Sequence, residues 1–418
     1  MGLSLAQACG ADPPEGHCEL EFEPVLDECR VCGRVTGGAG AYRLRSDLDG
    51  SLAALSLPED ATVCLPAGST VGVHTLRLTA LEKPDVSCEA TVDVRPFGYV
   101  YGLERNLAPA DSLPWVPDVM GIDDPPIVRP GREGWSSGAI NHPSFIRYQG
   151  LDLLYYAGGH EEEGTDEEAY AIGVAVKDET GRFVPYAQNP LLGPDATGAV
   201  AGDWNYDHQN TPEPVVVDDV LWLYYNGYDT VRETLAIGVV TSTDGFEFHN
   251  LGSDPAIPGG VSREFVDGAR AHPSVIVRDG VFEMWFASGT LEIGYAISED
   301  GITFEEYCGG PVFQGAGEAS WDQNVVKAPD VYWDGEWYEM MYSGCDKTCR
   351  QIGWAMSRDG LHWVAHDEPI LPVGERGAWN SETTQGGSLF VDGDRWHVYY
   401  AASNQGLIQV GYAWADKP

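Results

Sequence analysis

Positively charged residues are scarce in this chain, and their scarcity excludes several classes of partner. The 418 residues include 24 Lys plus Arg against 65 Asp plus Glu, a formal net charge of −41. Nucleic acids and anionic membranes attract proteins through positive charge, so neither is expected as a partner. The surplus of acidic residues predicts a solvated acidic surface typical of secreted proteins. Cation binding in acidic loops is the alternative interpretation.

The chain also lacks long apolar runs and amphipathic helical patterns. No stretch approaches the ~20 apolar residues that a membrane-spanning helix needs, so no membrane span is expected. Alternation of apolar and polar residues is the main periodic signal, and it predicts an almost all-β protein. A chain of 418 residues is long enough for two or three domains.

One pattern occurs five times between Trp135 and the C-terminus. An aromatic residue stands eight positions before a Pro or Gly, and an alternating run and then a Gly-centred run such as Ile172-Gly173-Val174 follow. The five pairs are Trp135 and Pro143, Trp204 and Pro212, Phe265 and Pro273, Trp321 and Pro329, and Trp379 and Gly387. Units spaced by 56 to 69 residues with only strand signals predict a five-bladed β-propeller.

The ends of the repeats predict how the propeller closes. The first four repeats each finish with a short Pro-led strand, and the fifth has none. These strands begin at Pro190, Pro255, Pro311 and Pro369. A similar segment, Pro126-Ile127-Val128, precedes the first repeat. We therefore expect this segment to complete the fifth blade and to remove an open sheet edge.

Residues 1–95 are predicted to form a separate small β-sandwich of immunoglobulin-like type. Strand-like runs occur at Thr62–Leu65, His74–Leu81 and Ser87–Val94, with turn residues between them. Residues 96–124 are interpreted as a linker or docking segment, and residues 125–418 as the propeller.

Cysteine is concentrated in the predicted N-terminal domain. Six of the nine cysteines are found there: Cys9, Cys18, Cys29, Cys32, Cys64 and Cys88. This density predicts disulfides and a secreted, extracellular or periplasmic protein. A half zinc site at Cys29-x-x-Cys32 is the alternative. In the propeller, Cys345 and Cys349 are predicted to close a short loop, with Cys308 left over.

The N-terminus gives a second indication of export. Residues 2–8 resemble the tail of a trimmed export signal, with Met1 added for expression. Cys9, which follows them, is a weaker candidate for a lipoprotein anchor.

The innermost strand of each blade is expected to line the propeller axis, which places three sets of aligned residues there. Directly before the repeated Pro or Gly stand His142, Thr211, His272, Ala328 and Gly386. Directly after it stand Ser144, Glu213, Ser274, Asp330 and Ser388. Two positions before the first set stand Ile140, Gln209, Arg270, Val326 and Thr384. Residue types that vary within a constant frame indicate function placed on a scaffold.

Other repeated features have structural interpretations. The Trp at the start of each unit is expected to pack between blades, not to stack on a sugar. The three Ser-x-Asp-Gly motifs that begin at Ser242, Ser298 and Ser357 are expected to form tight turns far from the axis.

The repeats resemble the five-bladed propeller glycosidases of glycoside hydrolase families 43, 32, 62, 68 and 130. The resemblance covers roughly residues 125–416. It rests on Lys327-Ala328-Pro329-Asp330-Val331, on the continuation Trp333-Asp334-Gly335-Glu336-Trp337-Tyr338, and on the Ser-x-Asp-Gly turns. It implies a glycosidase fold with catalytic carboxylates at the axis.

The resemblance also shows where this chain departs from the family pattern. In the families, an Asp directly before a Pro on blade one is the base or nucleophile, and here that residue is His142. The family acid is a Glu on a middle blade, and its equivalents here are Asn210, Ala271 and Lys327. Asp330 alone carries over directly, as the carboxylate that tunes the pKa of the acid.

Three functions follow from these residues. The first is a carbohydrate-active, glycoside hydrolase-like enzyme with a relocated carboxylate pair, Glu213 and Asp330, and Asp207 or Glu382 as a third candidate, because hydrolysis needs two carboxylates ~5 to 9.5 Å apart. Its substrate-binding candidates are His142, Arg270, His272, Gln209, Asn141, Lys327 and Glu382.

The second function is a metal-dependent enzyme in which His142, His272, Glu213 and Asp330 bind zinc or a transition metal, or Ca²⁺ through the carboxylates. The third is a non-catalytic glycan-binding propeller. The expected partner is a carbohydrate or another small molecule, and the expected oligomeric state is a monomer.

Overall fold

The computed structural model describes most of the chain, with gaps in the N-terminal region and in several loops. The described residues are 19–25, 30–36, 40–47, 50–57, 61–64, 72–81, 87–94, 110, 112–118, 121–122, 125–161, 168–193, 203–205, 207–229, 234–259, 269–289, 291–307, 310–317, 320–346 and 350–417. The predictions on the export signal, on Cys9, Cys18 and Cys29, and on Phe265 and Cys308 therefore lie outside the described residues.

The chain divides into two compact units, residues 1–102 with 307–309, and residues 103–306 with 310–418. The first contains β1 (Glu19–Val25), β2 (Arg30–Thr36), β3 (Gly40–Ser46), β4 (Gly50–Leu57), β5 (Ala61–Cys64), β6 (Gly72–Ala80) and β7 (Ser87–Val94). They form two antiparallel sheets with the orders β1-β2-β5 and β4-β3-β6-β7. Three of these strands match the predicted runs. The immunoglobulin-like assignment stays a prediction.

The second unit contains five four-stranded antiparallel blades. Blade one is β9 (Ala139–Tyr148), β10 (Leu151–Glu161), β11 (Glu168–Lys177) and β12 (Phe183–Pro185). Blade two is β13 (His208–Val217), β14 (Val220–Asp229), β15 (Thr234–Ser242) and β16 (His249–Asn250). Blade three is β17 (Arg270–Arg278), β18 (Val281–Ser288), β19 (Glu292–Ser298) and β20 (Glu305–Glu306). Blade four is β21 (Val325–Trp333), β22 (Tyr338–Cys345), β23 (Gln351–Ser357) and β24 (Trp363–Ala365). This confirms the propeller prediction.

Blade five is built from both ends of the propeller sequence. Its first three strands are β25 (Thr383–Asp392), β26 (Arg395–Asn404) and β27 (Leu407–Asp416), and its outer strand is β8 (Gly121–Ile122), which pairs with β27. Val128 pairs with Val410, as the Pro-led segments of the other blades pair through Leu192, Ile257, Phe313 and Leu371. The predicted closure is therefore confirmed. Residue Ala139 also pairs in parallel with Ile408, which links blades one and five.

One detail of the closure prediction was wrong. The Pro-led segments are not the outer strands of the blades. In blade two the outer strand, β16, pairs with Val240 and Thr241, whereas Ile257 forms a single bridge with Ile237, nearer the start of the same third strand. Each third strand thus has two partners on its outer side.

The cores of the propeller lie between neighbouring blades. Tyr155 and Val174 of blade one pack with Leu223 and Tyr225 of blade two, and equivalent clusters join blades two and three, four and five, and five and one. Each blade therefore buries both of its faces. The alternating side chains of a strand point to the two neighbouring blades.

The repeated Trp and the repeated Gly of the third strand explain each other. The indole of Trp204 stacks on Tyr225 at a centroid distance of 5.6 Å. A Cβ added at Gly238 would lie 2.3 Å from this indole. Trp135, Trp321 and Trp379 stack on Tyr156, Tyr342 and Tyr400 in the same way. The prediction that these Trp residues pack is confirmed.

The Ser-x-Asp-Gly motifs form turns that also join neighbouring blades. In the first, Ser242 Oγ accepts the Gly245 N–H, and Asp244 Oδ1 accepts two further N–H groups. The Gly245 carbonyl then accepts the Tyr155 hydroxyl of the preceding blade at 2.7 Å. Gly301 and Gly360 accept from Tyr224 and Trp285 likewise. The structural interpretation of these motifs is confirmed.

Two further predictions concern the Cys345–Cys349 loop and membrane spans. Cys345 is a buried free thiol, which contradicts its predicted closure with Cys349. Within the described ranges, no helix long and apolar enough to cross a membrane is found.

Candidate active site at the propeller axis

Each of the five inner strands contains a β-bulge at the aligned position. The residue there has a positive φ in every blade, between 46° at His142 and 54° at Gly386. The full set, called the bulge residues below, is His142, Thr211, His272, Ala328 and Gly386. Two neighbouring side chains stabilise this conformation, because Asn141 Oδ1 accepts the His142 N–H at 2.9 Å and Asn210 Oδ1 accepts the Thr211 N–H at 2.7 Å.

The bulges determine which side chains reach the axis. The axial cavity is lined by the bulge residues, by the two residues that follow three of them and by the one residue that follows the other two: His142, Pro143, Ser144, Thr211, Pro212, Glu213, His272, Pro273, Ala328, Pro329, Asp330, Gly386 and Gly387. A bulge bends its strand and re-aims side chains. Elsewhere the inner strands point at neighbouring blades. The prediction that strand alternation alone selects axial residues was therefore wrong.

Arg270 and Gln209 show the consequence of this correction. Arg270 is fully buried and binds Glu306 of its own blade, with Nη2–Oε2 at 2.9 Å. Its guanidinium also lies over Phe286. Gln209 is fully buried and donates to the Asn205 carbonyl. Neither residue lines the axial cavity, so the structure places both away from the expected substrate site.

The cavity itself is small. Its volume is ≈ 30 Å³. A buried water needs about 10–15 Å³ on this measure, so the cavity accommodates one or two waters and no sugar ring. Any saccharide must bind outside it.

A ring of hydrogen bonds joins the blades at the floor of this cavity. Its members, called the axial ring, are Ser144, Glu213, Ser274, Asp330 and Ser388. Four of them accept a backbone N–H from the next blade: Val275 to Glu213 at 3.2 Å, Val331 to Ser274 at 2.9 Å, Leu389 to Asp330 at 3.0 Å, and Phe145 to Ser388 at 3.0 Å. Ser and carboxyl side chains thus share one structural role here.

The fifth link differs because Pro214 has no N–H. The residue that would donate to Ser144 is this proline, so Ser144 Oγ donates instead to Glu213 Oε2 at 3.0 Å. Glu213 therefore receives hydrogen bonds from two neighbouring blades. It is the most highly connected side chain of the ring.

The two carboxyl groups of the ring influence each other. Burial raises the pKa of Glu213 well above its usual value, the charge of Asp330 raises it further, and hydrogen bonds from Val275, Ser144 and Ser274 lower it. Burial raises the pKa of Asp330 to about 7, against hydrogen bonds from Leu389 and Ser388. The structure thus brings together the two residues predicted as the catalytic pair. Burial makes both groups hold a proton more tightly than usual, and Asp330 titrates near neutral pH.

Two imidazoles line the same cavity as the carboxyl pair. The rings of His142 and His272 lie 4.5 Å apart at an interplanar angle of 51°. Burial, followed by the charges of Lys327 and Arg350, lowers the pKa of His142 to about 3. Burial and the same neighbours lower the pKa of His272 well below its usual value. Both rings are therefore neutral, and His272 Nδ1 is buried without a hydrogen-bond partner.

Two cations act on the imidazoles electrostatically, Lys327 and Arg350. Lys327 directly precedes the bulge residue Ala328, and Arg350 directly precedes β23 and donates to Gln385 Oε1 at 2.6 Å. Gln385 in turn donates to Asn141 Oδ1, next to His142, at 3.5 Å. Burial and the charge of Arg350 lower the pKa of Lys327 to about 8.

The remaining predicted site residues lie outside the cavity lining. Asn141 supports the bulge beside His142. Asp207 donates its backbone N–H to the Tyr228 carbonyl at the start of blade two. Glu382 Oε2 accepts the Gly406 N–H. Arg350 was missed by sequence reasoning, although it is one of few cations in the chain and stands directly before β23, the third strand of blade four.

The metal centre at His142, His272, Glu213 and Asp330 stays a prediction. Among the residues that the structure describes, no group of three or more His, Cys, Asp or Glu side chains has an arrangement that would hold a metal ion. His142 and His272 contact each other through their rings, and both carboxyl groups are engaged in the axial ring.

Similar proteins share this fold. No family model matches the chain. A glycosyl hydrolase from Bacteroides ovatus is similar in structure, with a TM-score of 0.57 and 17% identity over 72% of this chain and 95% of that one. The β-1,2-mannobiose phosphorylase from Listeria innocua has a TM-score of 0.55 at 14% identity, covering 71% and 97%. A GH130 structure, described as one of glycoside hydrolases that target β-1,2 mannosidic linkages, has a TM-score of 0.58 at 17% identity, covering 75% and 99%.

These TM-scores show that the chain shares its fold with those proteins. In sequence, the chain is 26% identical over 233 residues to uncharacterized protein Rv1502 of Mycobacterium tuberculosis, which is 49% of this chain and 76% of the relative. Uncharacterized protein MT1551 of the same species matches equally.

Proposed function

We propose that this protein is a carbohydrate-active enzyme of the glycosidase type, and that its chemistry takes place at the axial cavity. The observation that carries the proposal is the coupled carboxyl pair, Glu213 and Asp330, both with a raised pKa and both lining the cavity. Cleavage of a glycosidic bond needs one group that gives a proton and one that takes a proton. Structural neighbours named as glycoside hydrolases and a phosphorylase support the same class.

The pKa values assign the roles within the pair. Glu213, whose pKa is raised well above its usual value by burial and by the charge of Asp330, is assigned as the acid. Asp330, with a pKa of about 7, is ionised just above neutrality and is the base. Two carboxyl groups with pKa values pushed apart are typical of such sites.

The cavity volume limits where a saccharide can bind. A cavity of ≈ 30 Å³ admits water and excludes a sugar ring, so the saccharide binds outside it. His142 and His272 line the same cavity as the carboxyl pair. A neutral imidazole accepts a proton at one nitrogen and donates one from the other, so His272, with its unpartnered Nδ1, is the candidate for carrying a proton between the sugar and the carboxyl pair.

Substitution of the pair tests the proposal. We expect Glu213→Gln and Asp330→Asn each to lower the rate about 10²-fold or more on a cleaved glycoside, and the parent to show a bell-shaped pH profile. Asp322→Asn is the matched control, because Asp322 is fully buried but binds Tyr342 and the Ala316 N–H away from the axis. Near-full activity of either axial variant would show that the pair is not catalytic.

A non-catalytic glycan-binding propeller is the second candidate, and specific observations favour it. The positions that hold the base and acid in the glycosidase families here carry His142, Asn210, Ala271 and Lys327. Both axial carboxyl groups also serve the hydrogen bonds between blades. Saccharide binding without turnover across a broad glycoside panel would establish this function instead.

We also propose that the protein works in an oxidising compartment. Cys32 and Cys64 are directly opposed in the register of β2 and β5. Opposed residues of antiparallel strands have Cα atoms about 4.5 to 5.5 Å apart, which is within the range of a disulfide. Alkylation with and without reductant, followed by mass spectrometry, should show Cys32 and Cys64 in one disulfide-linked pair.

A further inference from the structure

Lys327 is an exception to the charge pairing of this acidic propeller. Elsewhere, Arg278 pairs with Glu283, Arg395 with Asp416, and Lys417 with Glu339. The Lys327 side chain is partly buried. Within the described ranges, its ammonium has neither a hydrogen bond nor a carboxylate partner. A protein with 65 acidic residues and 24 basic ones has no shortage of such partners.

Arg350 reinforces this exception. Its guanidinium donates to the neutral side chain of Gln385, and no described carboxylate pairs with it. The charge of Arg350 lowers the pKa of Lys327, so the two cations are close enough to repel each other. Their charges also act on both imidazoles. Two uncompensated cations beside each other cost stability unless an anion joins them.

His272 supplies a second, independent indication of a missing ligand. Its Nδ1 is buried without a hydrogen-bond partner, and His272 lines the axial cavity. A buried polar atom left without a partner costs stability, and such atoms in native proteins call for an explanation. A ligand with an anionic oxygen and a hydroxyl would serve the two cations and this nitrogen.

We propose that Lys327, next to the bulge residue Ala328, and Arg350, linked through Gln385 to Asn141 beside His142, form an oxyanion-binding site. This inference deepens the proposed function, because it makes the substrate an acidic saccharide whose carboxylate these cations bind. The guanidinium fork matches a planar carboxylate. Free phosphate offers the same chemistry, but the protein charge of −41 repels an ion more strongly the more negative charge it carries. A sugar-borne carboxylate is therefore the favoured source.

Binding measurements on the full chain test the site. Calorimetry with galacturonate and glucuronate oligosaccharides, their neutral galactose and glucose counterparts, and inorganic phosphate separates the sources. We expect an acidic oligosaccharide to bind at least 10-fold more tightly than its neutral counterpart, and the difference to shrink as salt is added. Tighter binding of phosphate than of any uronate would overturn the sugar carboxylate and leave the oxyanion site in place.

Substitutions at the site sharpen the result. Lys327→Met and Arg350→Gln should each weaken binding of the acidic ligand at least 10-fold and leave the neutral one unchanged. Arg395→Gln, which removes an exposed cation far from the axis, is the matched control and should change neither affinity. Equal affinities of the parent for acidic and neutral ligands, or unchanged binding in both variants, would refute the site.

Two further measurements keep the outcomes distinct. Removal of an unpaired buried charge should leave the melting temperature of Lys327→Met equal to or above that of the parent, so a lower value would show that Lys327 is paired. Binding by Glu213→Gln and turnover by the parent separate the two proposals. Acid-selective binding, together with a parent that cleaves no glycoside, supports the oxyanion site and rejects the enzyme. Turnover of neutral glycosides by the parent without acid-selective binding does the reverse.

Discussion

Ser144 donates a hydrogen bond to Glu213 across the boundary between blades one and two, with Oγ and Oε2 3.0 Å apart. The other boundaries of the axial ring use a backbone N–H for the same purpose, which Pro214 cannot supply. Because Pro214 has no N–H to donate, the Ser144 hydroxyl donates to Glu213, whose pKa is raised well above its usual value. Ser144 is a positioning residue for Glu213.

Ser144→Ala should raise the pKa of Glu213 further, because this hydrogen bond is one of those that lower it. In the proposed enzyme, the alkaline limb of the pH–rate profile should move to higher pH. The unfolding free energy should fall by about 1 kcal/mol, the usual contribution of one buried hydrogen bond. The pH profile and a denaturant titration measure the two effects.

Ser343→Ala is the matched control for this experiment. Ser343 is a fully buried serine whose Oγ accepts the Gly386 N–H, and it has no contact with either carboxyl group. It should lose similar stability with no movement of the pH profile. An identical profile in Ser144→Ala and the parent would show that Ser144 does not position Glu213.

The His142 side chain leaves no room for a Cβ at residue 386. A Cβ at residue 386 would lie 2.7 Å from His142 Nδ1, and the residue has a φ of +54°. We expect Gly386→Ala to cost about 3 kcal/mol, since it combines a left-handed backbone with overpacking of the axis. Thermal and denaturant unfolding measure the loss.

Gly393→Ala separates the two causes. Gly393 has a φ of +59° and an added Cβ there meets nothing within 4 Å, so only the backbone cost of about 1 kcal/mol remains. The double variant His142→Ala/Gly386→Ala should recover part of the difference. Equal losses at residues 386 and 393 would contradict the contact with His142.

The closure of blade five predicts a sharp dependence on residues before the first repeat. Deletion through Pro130 removes β8 and the Val128–Val410 pairing, which leaves both outer partners of β27 missing. We expect a loss of cooperative unfolding or a melting temperature lower by more than ~10 °C. Deletion of residues 1–90 should retain a cooperative transition. An unchanged transition in the longer deletion would contradict the closure.

The propeller was predictable because its repeats follow from local packing. Trp204 covers Gly238, and the equivalent pairs recur in other blades, so the spacing between aromatic residue and glycine is fixed by contact. Val128 was predictable for a similar reason, because each third strand needs a partner near its start. Sequence reasoning identified both without any knowledge of the site.

The site was only partly predictable. Glu213 and Asp330 were found because they break a run of serines, but Arg270 was misplaced and Arg350 was missed. Thr211, His272 and Ala328 adopt a positive φ that these residue types do not favour, so the bulges are imposed by the tertiary structure. Without the bulges, the direction of each side chain along the inner strand is assigned wrongly.

The two axial histidines and the two axial carboxyl groups should make nearly opposite contributions to the pH dependence of the unfolding free energy. Between about pH 4.5 and 6.5, unfolding lets two histidines take up protons, because the pKa of His142 is about 3 in the fold and that of His272 is also lowered. Unfolding over the same range releases protons from Glu213 and Asp330, whose pKa values are raised in the fold. Proton uptake by one pair and release by the other leave a small net change, so this part of the parent's stability should vary little.

Removal of the carboxyl pair should expose the histidine contribution. In Glu213→Gln/Asp330→Asn only the unfolded chain gains protons as the pH falls below 6.5, so acid must destabilise this variant more than the parent. We expect its melting temperature to fall by at least ~2 °C more than that of the parent between pH 7 and pH 5, about 1 kcal/mol. Addition of His142→Ala should reduce the difference. If the melting temperatures of parent and double variant depend on pH in the same way, the imidazoles and the carboxyl pair do not change their protonation when the chain folds.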